Sequence, residues 1–228
     1  MKRIAELVEE YDLAPGSAEQ FERLLEALSA EPDPHTTVAD PVNQHLADSL
    51  TALRVEGVRE ARALVDIGAG AGFPGLPLAI AMPGTRVDLV ESAQRKSALI
   101  DRLAHASGLS NARAIPRRAE EWAAGEGGTA YDVATARAVA PLAVLIEYAA
   151  PFLAVRGRLI AWKGSRDTAE EAAGAKAAEE VGLRPIDVVE TTPFAGARDL
   201  NLHVYLKERA TPGRFPRRPG VASKRPLA

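Results

Sequence analysis

The chain has 228 residues, 46% hydrophobic and 26% charged, a balance that excludes a disordered polymer. It has no cysteine, which excludes disulfides, thiolate zinc sites and a cysteine nucleophile. The formal charge is −3, but residues 209–228 carry six basic residues and no acid, so this tail is +6 and residues 1–208 are −9. Such asymmetry points to an acidic globule with a basic arm for nucleic acid or another anionic surface; the plainer reading is a solvated tail.

The first 55 residues read as helices. Ile4, Leu7, Val8 and Tyr11 lie at helical spacing, and the acids of this opening segment exclude a signal peptide. Ser17 is suited to cap a second helix with the stripe Phe21, Leu24, Leu25 and Leu28. A Pro-containing loop, 31–41, precedes a third helix with Leu46, Ser49, Leu50 and Leu53. From residue 62 the period changes. Strands are predicted at 63–67, 85–91, 113–116, 131–136, 157–162, 184–192 and 201–207. Helices are predicted from Pro74 to about 81, at 94–107, after Pro141 and at 168–181. The longest apolar stretch, 138–155, is broken by Pro141, Glu147 and Pro151 and cannot be a plain membrane span. Four histidines without His-x3-His spacing predict no metal site.

Strand–helix alternation predicts an α/β, doubly wound, mostly parallel sheet. The last two strands have no helix between them and should be antiparallel. A Rossmann-like sheet with a late antiparallel strand is the architecture of the S-adenosylmethionine methyltransferases. The chain therefore divides into an N-terminal helical extension (1–55), a methyltransferase domain (56–208) and a basic, Pro-rich tail (209–228).

The strongest local signal is the run from Val65 to Gly75, VDIGAGAGFPG. Glycines after a first strand let the backbone turn tightly and approach a ligand, and the next helix offers free N–H groups. Gly70 to Gly75 satisfies G-x-G-x-x-G, so an NAD-dependent oxidoreductase is one reading. The longer pattern begins with Asp66 at the strand tip. An acid there suits the ammonium of a methionine moiety and sits badly beside a pyrophosphate. Glu91, ending the second strand, can accept from both hydroxyls of a ribose, which either cofactor possesses.

Without cysteine, covalent attack on a pyrimidine ring is excluded. No Pro-Pro-Tyr-like tetrapeptide is present to cradle an exocyclic amine. A guanine N7 remains a suitable nucleophile, because it has a free lone pair and no proton to remove. Catalysis there is positioning and needs no catalytic side chain.

Five stretches resemble a known family. They are His45-Leu46-Ala47-Asp48-Ser49-Leu50; residues 66–75 with Pro77; Arg118-Ala119-Glu120; residues 136–142; and the tail runs 214–220 and 223–227. Together they resemble the bacterial 16S ribosomal RNA guanine-N7 methyltransferases, the glucose-inhibited division protein B family. The resemblance implies S-adenosylmethionine as cofactor, with Gly68, Gly70 and Phe73 at its pocket and Glu91 on the ribose. It implies that Ala119 and Glu120 meet the adenine, and that Arg137 sits beside the methionine end or the substrate. Lys163, Arg198, Arg217, Arg218 and Lys224 would contact RNA. The implied partner is 16S ribosomal RNA or the small subunit, in the cytoplasm, with no membrane and no metal. A small-molecule methyltransferase and a non-catalytic RNA-binding scaffold remain alternatives. Two departures stand out: Asp33-Pro34-His35-Thr36-Thr37 replaces the family's usual loop, and Glu91 stands where Asp is more usual.

Overall fold

A computed structural model describes residues 1–36 and 38–228; Thr37, in the predicted 31–41 loop, lies outside the described residues. The strands are β1 (Ala63–Ile67), β2 (Arg86–Val90), β3 (Ala112–Ile115), β4 (Tyr131–Arg137), β5 (Leu153–Lys163), β6 (Leu183–Thr191) and β7 (Leu200–Lys207). They form one sheet in the order β3-β2-β1-β4-β5-β7-β6. β7 inserts antiparallel between β5 and β6, and the pairings among β1 to β5 are parallel. The predicted late antiparallel strand is therefore present.

The central strands are short apolar runs because both of their faces are covered. Successive residues point to opposite sides. Leu64 joins a core with the N-terminal helices, whereas Val65 joins a second core on the other face. The first core packs α1 (Lys2–Glu10), α2 (Ser17–Ala30), α3 (Asp48–Leu50), α4 (Gly75–Ala81) and α5 (Gln94–Ala106). The second packs α6 (Ala119–Ala123), α7 (Leu142–Ala149) and α8 (Thr168–Val181). The Asp167 carboxylate caps α8 by accepting from the N–H groups of Ala169 and Glu170, and Gly182 ends it at φ 82°. Among the described residues, no helix is long and apolar enough to cross a membrane.

Local differences from the sequence reading have physical causes. Ser17 does not cap α2. Gly16, at φ 93°, makes the turn, and Ser17 is buried as the first helical residue. The predicted third helix is three geometries in series: a π-helical stretch Val42–Ala47, α3, and a 3-10 turn Thr51–Arg54. π-turns of this kind recur at functional sites. β5 starts at Leu153 rather than 157, a start masked by Arg156 and Arg158. α6 and a last turn, α9 (Val221–Lys224), are too short to produce a periodic signal.

The tail is the main correction. It is not a free basic arm. Phe215 and Ala222 are buried, and Leu227 packs against the second core. Arg214 pairs with Glu180 at 3.0 Å, and the Arg217 guanidinium forks onto both oxygens of the buried Glu147 carboxylate. Lys207 is 1% exposed; its ammonium donates to the carbonyls of Ala150 and Val181 and to Thr211, fixing the start of the tail to two helix ends. The charge asymmetry of the sequence is thus partly cancelled in space.

Candidate functional site

In a sheet of this order, ligands bind beyond the carboxyl ends of the strands where the order reverses, here between β1 and β4. Two hollows open at that place. One, of about 320 Å³, is lined by Ile67, Gly68, Val90, Glu91, Ala119 and Glu120 among others. The second, of about 530 Å³, includes Asp48, Arg137, Pro141, Trp162, Lys163 and Leu200. Ala138, Val139 and Ala140 line both. This short loop, entered through Ala138 at φ 56°, is the partition between them.

Gly68 is needed beneath that partition. It adopts φ 67°, and a Cβ there would lie 2.8 Å from Val139 Cγ2. Glu91 holds the glycine loop by accepting from the Gly70 N–H at 3.1 Å and from the Ala93 N–H at 2.8 Å. Glu120, at the start of α6, is buried and accepts from the Gly220 N–H at 2.9 Å. Gly68, Glu91, Ala119 and Glu120 therefore meet in one hollow, with Gly70 behind Glu91. Two carboxylates above the apolar walls Ile67, Val90 and Val139 suit ribose hydroxyls, an amine and a purine face. The same carboxylates disfavour a pyrophosphate, and the cations at this rim, Arg117 and Arg118, lie on exposed loop.

Asp66 departs from expectation. It is fully buried and lines neither hollow. One oxygen accepts from the Gly75 N–H at 3.0 Å and the other from the Thr135 hydroxyl at 2.8 Å. It therefore braces the N-terminus of α4 against β4. Burial raises its pKa to about 7, against those hydrogen bonds and the Arg137 charge.

Phe73 does not line the hollow that holds Glu91 and Glu120. Its ring stacks on His45, with centroids 4.1 Å apart, and the Arg137 guanidinium lies over it at 6.0 Å. His45 Nε2 lies 2.9 Å from the Thr36 hydroxyl, so this histidine is a packed residue. Burial, then the Arg137 charge, lowers its pKa to about 4 and keeps the ring neutral. Arg137 itself donates to Asp48 at 2.7 Å.

The remaining basic candidates separate. Lys163 is engaged by Glu170 at 2.6 Å, and Arg166 by Glu171. Arg217 is paired with both oxygens of the Glu147 carboxylate. Arg198 lies exposed between β6 and β7, and Arg218 and Lys224 are exposed on the tail. Trp162 packs beneath the cleft and donates to the Asp48 carbonyl at 3.2 Å. The sequence reading missed Asp48, Val139, Tyr148 and Ser223 as lining residues. Asp48, Val139 and Ser223 stood in the family-resembling stretches, while Tyr148 carried no local signal.

The model of one family, rRNA small subunit methyltransferase G, matches residues 34–196. The chain belongs to that family. It is 43% identical over 187 residues to the ribosomal RNA small subunit methyltransferase G of Pelotomaculum thermopropionicum, covering 81% of this chain and 77% of that one. The protein of the same name from Deinococcus radiodurans is 40% identical, over 95% of this chain and 87% of its own. Among solved structures, fibrillarin of Methanococcus jannaschii matches with a TM-score of 0.57 at 17% identity, covering 76% of this chain and 82% of that one. A mutant of MtNAS in complex with S-adenosylmethionine matches at 0.57 and 19%, covering 83% and 72%. These structures share the fold. Membership of a methyltransferase family removes the dinucleotide oxidoreductase reading of residues 70–75.

Proposed function

We propose that this protein transfers a methyl group from S-adenosylmethionine to N7 of a guanine in 16S ribosomal RNA, in the cytoplasm. The observation that carries the reading is the pair of hollows meeting at the 138–140 loop above Gly68. One is built for a nucleoside with a cationic end, and the other is wide enough for a base.

S-adenosylmethionine supplies an electrophilic methyl group when bound. Glu91 and the 117–120 turn hold the nucleoside part, and Gly68 permits close approach of the backbone. The apolar walls Val139, Pro141 and Trp162 exclude water from the second hollow and offer a surface for a flat base. No general base is required, because N7 carries no proton. The surroundings agree: His45 and Asp66 are buried, and Lys163 is held in an ion pair. Orientation of the reactants then supplies the rate, an effect worth roughly 7–11 kcal/mol in favourable cases.

The N-terminal helices flank the mouth of the cleft through Asp48, and Arg198, Arg218 and Lys224 supply phosphate contacts. The RNA is recognised through shape and splayed bases rather than a groove-reading helix.

The test is incubation with labelled methyl donor and undermodified small subunits or naked 16S RNA, followed by nuclease digestion and mass mapping. Label at a single guanine N7 is expected. Label in a small molecule without RNA, or no transfer at all, would overturn the reading.

A further inference from the structure

The C-terminal segment reaches the hollow that Gly68, Glu91 and Glu120 line. Ser223 and Tyr148 both line that hollow, and their hydroxyl oxygens are 2.8 Å apart. Three residues earlier, the Gly220 N–H donates to Glu120, the carboxylate at the hollow's edge. The connection spans a hundred residues of chain, so it is a tertiary closure and not a local turn.

The segment is anchored on both sides of this contact. Before it, Phe215 is buried in the second core and Arg217 grips Glu147 of α7. Arg217 also donates to the Arg225 carbonyl at 2.8 Å, folding the tail into a closed loop. Within it, Ala222 is 1% exposed. The outward side carries Arg218, Lys224 and Arg225, all exposed. One short stretch therefore presents polar groups inward to the hollow and cations outward to solvent.

We infer that residues 220–223 are a structural wall of the methyl-donor pocket, positioning Glu120 and Tyr148, and so couple donor binding to the tail's outward cations. This rests on the functional reading above. Two consequences follow from linkage. Donor or product bound at the wall orders the tail, and disturbing the inward contacts weakens donor binding even without RNA.

The probe is S-adenosylhomocysteine, titrated calorimetrically into the full-length protein without RNA. Gly220→Pro removes the N–H that holds Glu120 and cannot adopt φ 79°. It should weaken binding about tenfold, the usual scale for a hydrogen bond to a charged group. Arg184→Ala, on the edge strand β6, should leave the affinity unchanged. Hydrogen exchange of the wild type gives a readout that needs no variant: amides of 216–224 should slow when S-adenosylhomocysteine is added. Unchanged tail exchange and equal affinity of Gly220→Pro, in a wild type that binds the probe, would overturn the inference alone. A wild type that does not bind the probe would overturn the functional reading, and this inference with it.

Discussion

Arg137, at the end of β4, donates to Asp48 of α3 at 2.7 Å and ties the sheet's mouth to the N-terminal helices. The two side chains are 17% and 11% exposed, so water screens the pair little. Among the described residues Asp48 Oδ1 has no hydrogen-bond partner, so the carboxylate leans on this one cation. Arg137→Ala should therefore cost about 2–3 kcal/mol in urea unfolding, since it strands a buried charge. It should also lower methyl transfer at least tenfold. Asp48→Asn keeps an acceptor for Arg137 and should cost less. Equal stability of Arg137→Ala and wild type would show that the pair does not hold the cleft.

His45 and Asp66 should give opposing pH dependences. Burial, then the Arg137 charge, lowers the His45 pKa from 6.5 to about 4, so its contribution is present above pH 6.5 and is lost toward pH 4. Burial raises the Asp66 pKa from 3.8 to about 7, so its contribution is present below about pH 4 and is lost as pH rises through 7. Each pKa unit corresponds to about 1.4 kcal/mol. Between pH 4 and 6.5 the two slopes oppose. Asp66→Asn should make stability rise more steeply with pH than in the wild type, and His45→Phe should shift the slope the other way. Parallel profiles for the three proteins in urea unfolding would contradict this assignment.

Gly75 has a packing role that its place in a glycine-rich run conceals. A Cβ there would lie 2.5 Å from Leu89 Cδ2 and 2.9 Å from Asp66 Oδ2. Gly75→Ala should cost about 1–3 kcal/mol through overpacking. Gly68→Ala, by contrast, presses on the partition residue Val139, so it should weaken S-adenosylhomocysteine binding more than it lowers the melting temperature. Calorimetry and thermal unfolding of both variants separate the two effects.

The tail's contribution to RNA binding should be smaller than its formal charge suggests. Of the six, Arg214 and Arg217 are paired with Glu180 and Glu147 and Arg209 donates to the Glu179 carbonyl, leaving Arg218, Lys224 and Arg225 as the exposed cations without such a contact among the described residues. Replacing these three with Ala should reduce the slope of log affinity against log salt by about 2, at roughly 0.7 per phosphate contact on single strands. Replacing all six tail cations should reduce it no further; a reduction near 4 in that variant would mean that the paired arginines also reach phosphates.

Much of the architecture was legible in the amino-acid order. β1 and α8 match their predicted spans to the residue, because a fully buried apolar run and a capped helix ended by glycine are local signals. The glycine turn and Glu91 were legible for the same reason, as was the family, through motifs whose spacing is written along the chain. Which acid faces a ligand was not. Asp66 and Glu91 both stand at strand ends in sequence, yet Thr135 from a neighbouring strand closes over Asp66 and leaves Glu91 at the hollow. The fate of the tail was also beyond sequence. Its six cations read as one arm, but whether a cation meets an acid of the same molecule depends on contacts between residues as distant as Arg217 and Glu147. Local backbone chemistry determined the strands, the turns and the candidate pocket. Only tertiary packing decided which charges hold the fold and which remain exposed to solvent, because charge pairing depends on distance in space and not on separation along the chain.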